Sequence, residues 1–263
     1  CHRAIIRAVG TRDEATTWLV QAGCKHVPYA KIIADNNSGV YVGEGSTAIA
    51  GDGSAVVIGH YGKTITGDRS NVDASSCSIV MAGDDATLKL GSSSSTITAH
   101  GAEITSDCDN RIITGCRTSI TAAENADIIG EHTNVISVDD NSKVITGHFG
   151  KISAGKHCVS ISGPSSTAVG GICSTIIAGE YGNATTGNGG IAITTRRGET
   201  KCGHNGIAIS GFRGTVCGDE GSVLVLKNEN NEPIVAIVGK NGIKPNATYT
   251  LDYEGNFVEV VPI

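Results

Sequence analysis

A file of chemically capable side chains recurs every sixteen residues through the middle of this chain: Asp52, Asp68, Asp84, His100, Cys116, His132, His148, Pro164, Glu180 and Arg196. Imidazole and thiolate are ligands for zinc and other borderline metals, and carboxylates suit harder cations. If the spacing brings successive members to about 5 Å, the separation of neighbouring strands, then His100, Cys116, His132 and His148 form a candidate metal site. The competing reading is a column of solvated turn residues, because a straight ladder holds its side chains parallel. Zinc wants four converging ligands about 2 Å away. Further along, Arg196, Arg197 and Arg213 crowd one edge. Stacked like charges are unfavourable unless an anion sits between them, so these three are a candidate anion site, weighed against arginines that fan apart into water.

Two thiol–imidazole pairs lie near the start, Cys1 with His2 and Cys24 with His26. An N-terminal cysteine can act as a nucleophile with its own amine as base, but nothing places a carbonyl or an oxyanion hole beside either pair. No catalytic residue is assigned, and no cofactor is expected. Asn246-Ala247-Thr248 matches the glycosylation sequon, which carries no weight in a chain read as cytoplasmic.

What must position these groups is a repeat. From Gly39 to about Asn230 the chain divides into blocks of eight without an insertion, such as Lys143 to Gly150, Lys151 to Cys158 and Val159 to Ser166. Each block reads as four strand residues and four turn residues. Place five is usually glycine (Gly43, Gly51, Gly59, Gly67, then Gly147, Gly155, Gly163), which suggests a backbone angle that other residues adopt at a cost. Place three of every second block runs Ile49, Ile65, Met81, Ile97, Ile113, Ile129, Ile145, Ile161, Ile177, Ile193, Ile209 and Val225. In the alternate blocks the same place is mostly polar: Asp73, Lys89, Thr105, Thr121, Ser137, Ser153. The true period is therefore sixteen, two short strands and two turns per coil. A fixed-period repeat is a fold-level signal. The expected fold is all-β, a two-sheet parallel β-solenoid (β-helix).

Strand alternation then assigns faces. In the polar sheet, places two and four point inward, as with Leu88 and Leu90. In the other sheet the expectation is that the Ile ladder points in, leaving Ile112, Thr114, Ile128, Val144, Thr146, Ile176 and Ala178 on a flat outer face as a candidate interface. The opposite register exposes the ladder itself, so an apolar surface results either way, and such patches mark contacts. The ends break the period. Residues 1–38 are expected to form an N-terminal cap with one short helix over Asp13 to Ala22, residues 39–230 the solenoid, and residues 231–263 a C-terminal β-hairpin cap. Caps suppress endless edge-to-edge stacking.

Composition agrees. The 263 residues include 36 Gly but only 3 Phe, 1 Trp and 1 Met, so the interior must be narrow and tiled by small side chains. A net charge of −6 argues against binding nucleic-acid backbones, which needs clustered Lys and Arg. No apolar run approaches the roughly 20 residues of a membrane span. Nine scattered cysteines do not form a disulfide framework, and with no visible signal peptide the expectation is a reduced, cytoplasmic protein.

The sixteen-residue period, with fragments such as Ser95-Thr-Ile-Thr-Ala99 and Ala178-Gly-Glu-Tyr-Gly182, resembles the repeats of bacterial ice-nucleation proteins. The stretch from Asp219 to Val260 is similar to the tails of uncharacterised bacterial and phage-borne repeat proteins, most of all Gly242 to Val260. The resemblance implies a solenoid of bacterial or prophage-linked origin and no particular activity. The functional expectation is a non-enzymatic structural or protein-binding solenoid that self-associates, most simply as a dimer, through its Ile-ladder sheet; a further protein partner is not identifiable. Three alternatives stand beside it. A bacterial or phage effector could capture or mimic a host macromolecule. An ice-binding face could be built from Thr64-Ile-Thr66 and Thr96-Ile-Thr98, although Val80-Met-Ala82 and Ile112-Ile-Thr114 interrupt that array. A polysaccharide-acting enzyme needs long loops to wall off a cleft, and turns of one length offer none.

Overall fold

The structure, a computed structural model, describes residues 29–260. The helix expected over Asp13 to Ala22, and the pairs Cys1 with His2 and Cys24 with His26, lie outside the described residues. Among the described residues all regular structure is β. Strands of mostly four residues alternate between two sheets of fourteen strands each. Each solenoid strand pairs in parallel with the strand one coil away, from Lys31↔Thr47 to Leu226↔Ser210, always sixteen residues apart. The coil also starts earlier than the expected 39, because strand Lys31–Ala34 already holds this register.

The turns are stitched as tightly as the strands. Place-seven amides donate to place-six carbonyls of the following coil, as in Asn37 N to Asp52 O at 2.7 Å and Arg69 N to Asp84 O at 2.7 Å. Place eight, to which the repeat assigned no role, is buried and carries its own ladder. Ser78 N donates to Ser94 Oγ at 3.1 Å, and Ser94 N to Asn110 Oδ1 at 2.6 Å. The Ser78 hydroxyl in turn donates to Ser75 O at 2.6 Å. Buried amides at a turn need such partners, and Ser or Asn supplies them where no strand can.

Glycine at place five has a different cause from the one expected. The left-handed backbone falls two residues later, at place seven, where Tyr61 (φ 57°), Arg69 (53°), Asn125 (59°) and Phe149 (58°) adopt it as side-chain-bearing residues. At place five the constraint is proximity. A Cβ on Gly67 would lie 2.8 Å from the Asp52 amide nitrogen, and one on Gly83 2.8 Å from that of Asp68. The turn of one coil rests directly on the turn before it.

The direction of the ladder is the main correction. Places two and four of the ladder sheet point inward: Ile112 (0 % exposed), Thr114 (4 %), Ile128 (1 %), Val144 (1 %), Thr146 (6 %), Ile176 (0 %) and Ala178 (0 %) are all core. They cannot be an interface. The Ile ladder faces out. Places one and three share a face, and place one of this sheet carries Lys31, Lys63, Arg111, Asp127 and Lys143. Burying those charges unpaired costs far more than exposing a column of isoleucines. The same reversal takes the paired threonines off the surface, because Thr64, Thr66, Thr96 and Thr98 are buried.

At the C-terminal end the expected hairpin divides between the two sheets. Strand Pro233–Ile237 lies antiparallel on Val223–Lys227. Strand Thr248–Leu251 lies antiparallel on Thr215–Gly218, and Phe257–Glu259 folds back onto it. Tyr249 closes a second small core with Leu224, Leu226 and Val238.

Candidate functional site

Because every coil repeats at one register, the outer surface of the ladder sheet is a regular array with one ladder side chain per coil. Ile65, Met81, Ile97, Ile113, Ile129, Ile145 and Ile161 occupy successive coils and are each 41–50 % exposed. Toward the C-terminal end the place-one column turns apolar as well, with Ile191, Ile207 and Val223 beside Ile193, Ile209 and Val225. The capping strand continues the patch through Val235 and Ile237, both exposed and in register with Val225 and Val223. Neither cap residue was singled out from sequence, because the period that finds the ladder ends before them. Fourteen strands at about 4.8 Å span roughly 60 Å, and four residues at about 3.3 Å make the face some 13 Å wide.

The turn that follows this sheet carries the file of polar residues. Five of its members are bonded down the column: the side chains of Asp52, Asp68, Asp84, His100 and His132 each accept the amide of the corresponding residue one coil on. Asp52 Oδ1 takes Asp68 N at 3.0 Å, Asp68 Oδ1 takes Asp84 N at 2.9 Å, and Asp84 Oδ1 takes His100 N at 2.9 Å. His100 and His132 continue the pattern with Nδ1, accepting Cys116 N at 3.0 Å and His148 N at 3.1 Å. From Asp52 to Cys116, and again from His132 to His148, the column is thus a side-chain hydrogen-bond ladder built on acceptor side chains. The imidazoles of His132 and His148 also stack edge-on at 5.0 Å between centroids.

Of the four residues expected at a metal site, the structure brings His100 and Cys116 together and adds Glu131, a residue the sequence reading passed over. One ligand atom from each of the three lies within 4.8 Å of the others, and Cys116 Sγ is 3.2 Å from Glu131 Oε2. His132 and His148 stand outside that group. The signal for Glu131 was present: from Asp35 to Asp219, place five holds only Gly, Ala, Ser, Thr or Asp apart from this one long carboxylate.

The three arginines find partners within the solenoid. Arg196 lies 3.8 Å from Glu180 in an exposed ion pair. Arg197 donates to Tyr181 Oη at 2.8 Å with its guanidinium over that ring, and Arg213 covers Phe212 at 5.0 Å. Arg213 also borders a recess of about 350 Å³ between the last turns and the cap, which Lys227, Asp252 and Tyr253 help to line. Charged residues of both signs line it. Cys158, Cys202 and Cys217 are buried, and desolvation raises each thiol above its ordinary range, whereas Cys77 and Cys173 are exposed.

These features define a class: a two-sheet parallel β-solenoid of sixteen-residue coils with an exposed ladder of apolar side chains along one outer face. Comparison with protein-family models, with curated proteins and with solved structures found no match, so the functional reading rests on geometry.

Proposed function

We propose that the chain is a non-enzymatic scaffold whose exposed ladder face pairs with the same face of a second copy. The observation that carries this reading is the unbroken run of apolar side chains from Ile65 to Ile161, each nearly half exposed on the outer surface of the ladder sheet. A face of roughly 60 by 13 Å offers about 800 Å², close to the roughly 800 Å² per partner of a standard stable interface. The occupant follows from the spacing. An array of side chains every 4.8 Å or so meets a matching set of gaps along its whole length only on a surface with the same repeat, and another copy of this chain has one. The identical turn lengths support a binding role over catalysis, since they build no deep cleft along the rod. A bacterial or phage setting rests on the resemblance of the tail alone.

Sedimentation velocity over a range of concentrations tests the pairing. The wild-type chain is expected to dimerise. Ile129→Lys and Ile145→Lys, on the outer face, are expected to give a folded monomer. A wild-type chain that stays monomeric at high concentration, or outer-face variants that dimerise as before, would refute it.

A further inference from the structure

From the turn ridge, and independently of the pairing, we infer that His100, Cys116 and Glu131 form a binding site for a borderline divalent metal of the zinc or cobalt kind. Three unlike donors, one imidazole nitrogen, one thiolate sulfur and one carboxylate oxygen, come from three successive coils and lie within 4.8 Å of one another. This donor set favours zinc-like ions over calcium or magnesium, which prefer oxygen alone. The site is open to solvent on its outer side, with His100 and Glu131 exposed and Cys116 half-buried, so water completes the coordination.

Two features show why the three residues meet here. Gly115 lies beside the His100 ring, where a Cβ would come within 2.5 Å of Nδ1 and 2.9 Å of Cε1, so the lack of a side chain there leaves room for the imidazole. Glu131 occupies a place held elsewhere by small residues, and its carboxylate reaches back to the Cys116 thiol at 3.2 Å. In the metal-free molecule the thiol proton lies between Sγ and Oε2. Metal binding replaces that proton, leaving thiolate and carboxylate both as ligands and releasing one proton per ion. His100 Nδ1 accepts the Cys116 amide at 3.0 Å. Ligation therefore exchanges one neutral hydrogen bond of the column for a metal bond, either at Nδ1 itself or at Nε2 after the ring turns.

The turn columns supply a clean control. Asn36 Oδ1, in the same column as His100, accepts Asp52 N at 2.9 Å, and Asn188 Oδ1, in the column of the other turn, accepts His204 N at 3.1 Å, so asparagine keeps the coil-to-coil bond without an imidazole. The experiment is titration of the full chain with Co²⁺ under a non-thiol reductant, following the thiolate-to-cobalt charge-transfer absorption, and then displacement by Zn²⁺. One equivalent is expected to give the band, and zinc is expected to abolish it. Cys116→Ser is expected to lose the band, and His100→Asn and Glu131→Gln to weaken binding by roughly tenfold or more as one of three protein donors is removed. Unchanged circular dichroism would show that each variant keeps its strands. No band in the wild-type chain, a band that survives Cys116→Ser, or undiminished affinity in His100→Asn would overturn the assignment.

Discussion

Ile128 and Ile129 are neighbours on strand Asp127–Gly130, yet they should respond very differently to truncation. Ile128 is 1 % exposed and lies in the core between Ile112 and Val144 of the adjoining coils, whereas Ile129 is 50 % exposed. Replacement of isoleucine by alanine removes three carbons. At about 0.8 kcal/mol per buried carbon this gives roughly 2.4 kcal/mol for Ile128, and the cavity left in a narrow interior raises the cost to about 3–4 kcal/mol. For Ile129, half of that transfer free energy is already forgone in the folded state, so the loss is about 1 kcal/mol with no cavity. The difference between Ile128→Ala and Ile129→Ala should therefore be about 2–3 kcal/mol. Urea unfolding followed by circular dichroism, at a concentration low enough to exclude association, reads it directly as a shift in midpoint. An Ile129→Ala variant as damaging as Ile128→Ala would mean that the ladder points inward after all.

Two further outcomes follow from the interior. The Thr64 hydroxyl is buried without a hydrogen-bond partner, so Thr64→Val, nearly the same shape, is expected to stabilise by about 1 kcal/mol; a destabilised variant in the same urea assay would contradict that. Thiols react as thiolates, and burial holds Cys158, Cys202 and Cys217 protonated to higher pH. Iodoacetamide with peptide mapping should thus label Cys77 and Cys173 well before those three at neutral pH, and equal rates across the five would show that the buried positions are wrong.

Much of the architecture was legible because it repeats. The Ile column at sixteen-residue spacing fixes the coil length and the two sheets, and the loss of the period after about Asn230 marks where the cap begins. Direction was misread, although the sequence carried the answer one column away. Lys63, Arg111, Asp127 and Lys143 share a face with the ladder, and weighing them would have turned it outward. The place-five glycines were also legible as a pattern but not as a cause, since contact between successive turns exists only once coils are stacked. At the metal ridge, His100 and Cys116 were found from their column. Glu131 was missed because it belongs to a different place in the repeat and arrives beside Cys116 only through the turn of the next coil.

Direct contact between successive place-five turns also sets the unit in which this chain can lengthen or shorten. Excising sixteen residues joins surfaces that already fit, and the rod loses one rung of each sheet. Excising eight exchanges the sheets beyond the cut, so that Lys89 or Asp73 would continue a column of isoleucines. Fewer residues than that would drive a side chain into the neighbouring backbone. Growth by whole coils is thus the inexpensive route, and a molecule built this way keeps its thickness and its faces while only its length varies.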